Sequence, residues 1–218
     1  EIISLSSYLE KMPETQKDIY YISAETRSQA LASPHLEGFK SKNIPILIMT
    51  DAIDQFWLPM IGSFKDKKFT SITQGQINLD ELDEKNKDKK SDSKDQKEKQ
   101  DKEFVDLIAQ MKVVLGEQVK DIRLSSKLTD SPVCLVADDG DMDIAMEQLM
   151  AQRDTNYKGA PRILEINGDH SLIKNMKSLL SKKDNNDLVS DAGTLLFEQA
   201  RLLEGKMPAD PAQFSKIM

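Results

Sequence analysis

The stretch "DIYYISAETRSQALASPHLEGFKSKNIPILIMT", residues 18–50, decides the fold of the first part of the chain. Its ends, "DIYYIS" (18–23) and "IPILIMT" (44–50), are short apolar runs rich in β-branched and aromatic residues, which favour extended backbone. Between them "ETRSQALASPHLEGFKSK" reads as helix interrupted near Pro34. Strand, helix, strand predicts a parallel pair joined by a right-handed crossover. The alternation continues: "DAIDQFWLPMIGSF" (51–64) predicts a helix that stops at Pro59, and "KKFTSIT" (67–73) a further strand. Residues 1–80 are therefore an α/β unit. On the helix after the second strand, Phe56 and Trp57 are adjacent and point about 100° apart. Both rings cannot pack on the sheet, so one is left toward solvent.

Residues 83–103, "DEKNKDKKSDSKDQKEKQDKE", contain no apolar residue, and their eight acids cancel eight lysines. Such a run cannot bury enough surface to offset its ordering entropy. It predicts a linker over 81–103, at most a frayed helix, dividing residues 1–80 from 104–218.

The second segment opens with "EFVDLIAQMKVVLG" (103–116), apolar at helical spacing and stopped by Gly116. Strands are predicted at "VKDIRLS" (119–125), "PVCLVA" (132–137) and "RILEIN" (162–167). Helices are predicted at 171–183, 187–205 and 210–218, the last announced by Asp210-Pro211. This is an α+β domain, three strands with helices on one side, carrying a C-terminal helical arm.

Within it, "DDGDMDIAMEQLM" (138–150) raises the question of a calcium loop. With Gly140 at loop position 6, positions 1 and 3 are Leu135 and Ala137, so the ligand register fails. What remains is a turn, Asp141 as helix N-cap, and acids favoured by the helix dipole. Met142, Met146, Leu149 and Met150 then share one side at i, i+4, i+7, i+8. Spacing alone leaves two readings open: ordinary core, or an adaptable contact surface of the kind methionine suits.

Bulk composition narrows the class. The formal charge of −7 argues against a general nucleic-acid binder. The single cysteine, Cys134, permits no intrachain disulfide and suits a reducing, cytoplasmic setting. No apolar run has the length to span a bilayer, so no membrane partner is expected. There is no Gly-rich phosphate loop, no G-x-S-x-G elbow and no histidine pair at metal spacing. Cys134, inside "VCLV", reads as a buried, inert thiol. His35 and His170 read as capping or surface residues, and Lys174, Lys177, Lys182 and Lys183 as a solvated helix face. The one enzymatic or ligand-binding alternative is a small α/β module with its site near Asp51 and Asp54, of which Asp51 reads more simply as a helix cap.

The arm asks for a partner. Leu188, Ala192, Leu195, Leu196, Ala200 and Leu203 form a stripe, with Phe214 and Ile217 on the last helix. With Leu202 beside the stripe, its five leucines per protomer, ten in a symmetric pair, give on the order of 15–30 kcal/mol gross on full burial. Association costs about 4–15 kcal/mol. A two-fold helical bundle is thus feasible, with packing back onto the same domain as the competing outcome.

These segments converge. "KDIYYIS", "SPHLEGFKSKNIPILIMTDAIDQFWL", the charged run, then "LGEQVKDIRLSSKLTDSPVCLVADDGDMDIAMEQLM", Leu164–His170, "LLFEQARLLEG" and a closing Asp-Pro closely resemble, in order, the ninety-kilodalton heat-shock chaperones of the bacterial HtpG type. The resemblance implies a fragment: the α/β end of the middle domain (1–80), the linker, and the C-terminal dimerisation domain (104–218). It implies that the ATPase domain and its assisting arginine precede Glu1. This piece would then need no cofactor and catalyse nothing, while ATP and magnesium serve the full-length, stress-induced parent. It further implies homodimerisation through the arm, client contacts at Phe56, Trp57, Met142, Met146, Leu149 and Met150, and contacts with unfolded or partly folded proteins and with cochaperones.

Overall fold

The computed structural model describes residues 2–79, 90–153, 157, 159–181 and 185–218. It has an α/β region followed by α+β elements and a C-terminal helical stretch, the architecture expected from the sequence. The chain divides into two compact units, Glu1–Lys87 with Ala137–Ala160, and Asp88–Val136 with Pro161–Met218. Residues 137–160, expected in the second domain, thus belong to the first unit.

In the first unit, β1 (Ile19–Ser23) pairs in parallel with β2 (Leu47–Met49) on one side and with β4 (Lys67–Ser71) on the other. A short β3 (Ser63–Phe64) forms a hairpin with β4, giving the order β2-β1-β4-β3. The hairpin turn is Lys65-Asp66, both at positive φ, as the twist of a tight hairpin requires. Alternation along β1 sends Tyr20 and Ile22 to one face and Ile19 and Tyr21 to the other. The first pair packs with Ala30 of α2 (Arg27–Ala32), with Leu36 of a 3-10 turn, and with Phe39 of α3 (Glu37–Ser41). The second packs with Tyr8 of α1 (Leu5–Lys11) and Leu58 of α4 (Asp54–Ile61). The sheet is covered on both faces, which is why β1 is apolar throughout. Tyr8 ties the layers: its hydroxyl donates to the Pro45 carbonyl (2.7 Å) and accepts from Gln16 Nε2 (2.9 Å).

Two expectations are corrected here. α4 does not stop at Pro59 but continues to Ile61. Pro59 removes only the bond to Gln55, and the terminator is Gly62 at φ +67, whose N–H reaches the Leu58 carbonyl (2.9 Å). His35 is buried in the 3-10 turn rather than at the surface. α1 had no counterpart in the sequence reading.

The second unit holds a sheet of order β5-β7-β6, with β5 (Val119–Leu124) parallel and β6 (Val133–Val136) antiparallel to β7 (Arg162–Ile166). Three helices cover one face: α5 (Lys90–Leu115), α7 (Ser171–Leu180) and α8 (Asn186–Leu203). Of the predicted linker, residues 81–89 lie outside the described residues, but from Lys90 onward the run is helix. Phe104, Leu107, Met111 and Leu115 pin the later turns of α5 in the core. Once a helix is nucleated, adjoining Lys, Glu and Gln extend it at little cost. α9 (Pro211–Ile217) starts as expected, Asp210 Oδ1 accepting from the N–H groups of Ala212 and Gln213. His170 caps α7 through Nδ1, as read from sequence.

The opposite face of this sheet carries a buried polar cluster. Glu165, on the central strand, accepts from Arg123 Nε (3.0 Å) and Nη2 (2.8 Å) and from Ser125 Oγ (2.8 Å), with Lys127 Nζ at 3.8 Å. Cys134 is buried, its Sγ 4.0 Å from the same carboxylate. Lys127 and Glu165 are 1% and 2% exposed, so each charge depends on the others for compensation. Substituting Glu165→Ala should lower the unfolding free energy by about 3–5 kcal/mol, read from the urea midpoint. Lys112→Ala, which breaks the half-exposed pair with Asp121, should cost at most about 1 kcal/mol.

Candidate functional site

The helix α6 (Ile144–Arg153) is held by the turn that follows β4. The Ala137 N–H donates to the Thr73 carbonyl (2.9 Å), and the Gly75 N–H to the Ala137 carbonyl (2.8 Å). Gln74 Nε2 lies within reach of the carbonyls of Asp138, Asp139 and Asp141, most closely the last at 2.8 Å. Gly75 stands at φ +68, a left-handed backbone conformation that favours glycine, and the Asp139 carboxylate lies against its Cα.

The N-cap is Asp143, not Asp141. Its Oδ1 accepts from the Ala145 N–H (2.9 Å), while Oδ2 accepts from Ser71 Oγ (2.6 Å) and Thr73 Oγ1 (2.8 Å). Sequence alone favoured Asp141 because any short acid before the apolar run could cap; the hydroxyls from β4 select Asp143. Burial, with Asp143 nearby adding to it, pushes the Tyr21 hydroxyl up to about 12, against the lowering effect of its hydrogen bond with Ser71.

Because α6 starts at Ile144, Met142 lies in the preceding loop and is exposed. Met146, Leu149 and Met150 are half-buried, and among the described residues none of the four joins a buried cluster. The helix instead buries Ile144 and Glu147, the latter accepting from the Ala160 N–H (3.2 Å).

On α4, Trp57 turns inward, edge-on to Phe69 with ring centroids 5.8 Å apart, and its Nε1 donates to Asp54 Oδ1 (2.6 Å). Phe56 faces out. Ile53 and Met60 flank it at 64% and 85% exposure, with Ile61 beside them, on an i, i+3, i+7 face. The sequence reading missed Met60 and Ile61 because it ended the helix at Pro59. Asp54 is committed to Trp57 and to the Asp51 N–H (3.2 Å), so it does not join Asp51 in a shared site. Asp51 does not cap α4 through its side chain; Asp54 serves that turn.

The arm stripe divides. Leu196 and Ala200 are 4% and 2% exposed and pack in the unit's own core with Val189 and Phe197. Ala192, Leu195, Phe214 and Ile217 are half-buried, and Leu188 and Leu203 are 57% and 53% exposed. Leu202 and Met207 are also exposed. Glu198, buried, accepts from the Ala209 N–H (3.0 Å) and thereby sets the turn between α8 and α9.

Among the described residues there is no group of three or more His, Cys, Asp or Glu side chains placed to hold a metal ion. Among them, too, no helix is long and apolar enough to cross a membrane.

The family model described as Hsp90 protein matches residues 1–218. The proteins this chain is similar to include three described as Chaperone protein HtpG. That of Roseobacter denitrificans is 41% identical over 216 residues, covering 98% of this chain and 34% of its own. That of Streptomyces coelicolor is 37% identical over 218 residues, covering 100% and 33%. That of Wolbachia pipientis is 35% identical over 217 residues, covering 99% and 34%. The chain thus spans about a third of the length of the curated relatives it matches.

Asp143→Ala removes a cap and the acceptor shared by the Ser71 and Thr73 hydroxyls, which keep their mutual hydrogen bond (2.8 Å), a loss of about 1–3 kcal/mol. Hydrogen exchange should show faster exchange of α6 amides, while amides of β5–β7 keep their protection.

Proposed function

The chain belongs to the Hsp90 protein family, and on that premise we propose that it is a non-catalytic part of a molecular chaperone. It pairs with a second copy through α8 and α9 and offers apolar side chains of α4 and α6 to partly unfolded polypeptides in the cytoplasm. The observation that carries this reading is the pair of apolar faces, Phe56 with Ile53 and Met60, and Met142 with Met146, Leu149 and Met150, that join no core cluster. Residues 1–80 serve as the end of a middle domain and 104–218, apart from the 137–160 segment that belongs to the first unit, as the dimerisation domain. ATP, magnesium and cochaperones are assigned to a full-length parent, since the relatives are about three times as long.

Half-buried Leu195, Phe214 and Ile217 reduce the area still available for pairing. The gross gain falls toward about half of the full-burial value, on the order of 8–15 kcal/mol. That is close to the association cost of about 4–15 kcal/mol. Pairing is therefore weak enough to depend on protein concentration, and a pair doubles the contact faces available to one client.

Two outcomes are expected. Leu188→Asp with Leu203→Asp should convert a concentration-dependent dimer into a monomer in sedimentation equilibrium, with a melting temperature that matches the unaltered chain at dilutions where that chain is monomeric; persistence of the dimer would place the interface elsewhere. Met142→Ser with Met146→Ser should weaken suppression of aggregation of a chemically unfolded protein several-fold while mass and melting temperature hold. If suppression is unaltered, those methionines are not the contact face.

A further inference from the structure

In the first unit a cavity of about 320 Å³ opens at the carboxyl ends of β1 and β2. Its origin is topological. The chain leaves β1 toward the face covered by α2 and α3, and leaves β2 toward the face covered by α4, so the two exits diverge and leave a crevice. The Ala24 N–H still reaches the Met49 carbonyl (3.1 Å), so the exits start from neighbouring strands. Glu25 and Asp51 each stand two residues past the last register pair, Ser23 and Met49, and both line the cavity. α6 supplies the far wall through Gln148, Leu149 and Gln152, and α4 adds Gln55.

The lining has one chemical character. It presents two carboxylates, three carboxamides and one threonine over alanines and one leucine, and no described basic residue. Gln152 Nε2 donates to Glu25 Oε1 (2.9 Å), which fixes that carboxylate against the wall and leaves its second oxygen available. Among the described residues neither Glu25 nor Asp51 has an ion-pair partner. The volume lies at the lower end of ligand pockets, roughly 300–1,000 Å³, room for one side chain or a small amine. A guanidinium satisfies such a wall better than an ammonium: it is more weakly hydrated and offers a planar fork of donors to carboxylate and amide oxygens.

We propose that this cavity takes the guanidinium of an arginine, and that it does so beside the apolar contact face of α6. Leu149 belongs to both, so a polypeptide laying an apolar residue on Met146 or Met150 places a nearby arginine at the cavity. This rests on the reading of α6 as a polypeptide-contact helix and adds a charge preference to it: apolar segments with an arginine a few residues away bind better than apolar segments alone. The chain's net charge of −7 draws such segments in.

The test uses the whole 218-residue chain and two fluorescent peptides identical except that one carries arginine and the other citrulline, its neutral near-isostere. Anisotropy should show the arginine peptide binding about tenfold tighter. In Glu25→Gln with Asp51→Asn, both exposed positions whose folding is checked by circular dichroism, that ratio should fall to about one, while the citrulline peptide binds as before. Agmatine, a free guanidinium, should compete away the arginine advantage if the cavity accepts the group untethered. Failure to compete, with the advantage still lost in the double variant, confines the site to guanidinium carried on a polypeptide. Equal binding of the two peptides, or an advantage that survives the double variant, overturns the cavity assignment and leaves the apolar face standing. Absence of binding by both peptides overturns the face itself.

Discussion

One carboxylate organises the first unit. Asp143 caps α6 with one oxygen and accepts two hydroxyls from the end of β4 with the other. A cap alone would fix where the helix begins, and the hydroxyls alone would fix where the loop lies. Their combination fixes both together, so the direction of α6 follows from the position of the sheet. The backbone bonds around Thr73, Gly75 and Ala137 and the Gln74 amide complete the clasp. Satisfied buried networks of this kind hold geometry more firmly than isolated hydrogen bonds of similar number. The consequence reaches the surface: Leu149 and Gln152 line the cavity at the strand ends only because α6 is aimed from Asp143.

Apolar surface is handled in the same way on α4 and α8. Each helix is short of sheet to cover all its large side chains. On α4 the inward share goes to Leu58 and Trp57, and Phe56, Ile53 and Met60 are left out. On α8 it goes to Val189, Leu196, Phe197 and Ala200, and Leu188 and Leu203 are left out. The remaining apolar groups are spaced along single faces and stay open to solvent. Their partial burial also sets the scale: the apolar area left uncovered on these faces is modest.

The second unit follows a different logic on its two faces. Under the helices, β5, β6 and β7 present apolar residues to a continuous core. On the reverse face the central strand carries Glu165, and the loop through Ser125 and Lys127 folds over it so that each charge meets an opposite one. The arrangement ties the order of the loop to the order of the sheet.

Much of this was legible in the amino-acid sequence. Runs such as "IYYI", "VCLV" and "RILEI" admit little but strand, and the apolar spacing of residues 104–115 and 188–203 admits little but helix, because local periodicity and side-chain shape decide those questions. The strand–helix–strand order likewise set the parallel pairing of β1 with β2, since the crossover has only one favourable hand. Tertiary structure alone settled the rest. Pro59 stays inside α4 because Trp57 and Leu58 hold the helix in place. The charged run after Lys90 is helical because its neighbours are pinned in a core. Asp143 rather than Asp141 caps α6 because two hydroxyls distant in sequence arrive beside it. The split of the α8 stripe into buried and exposed halves depends on where α5 lies. A periodic pattern states that a helix has an apolar side; only the packed neighbours determine how much of that side is already covered.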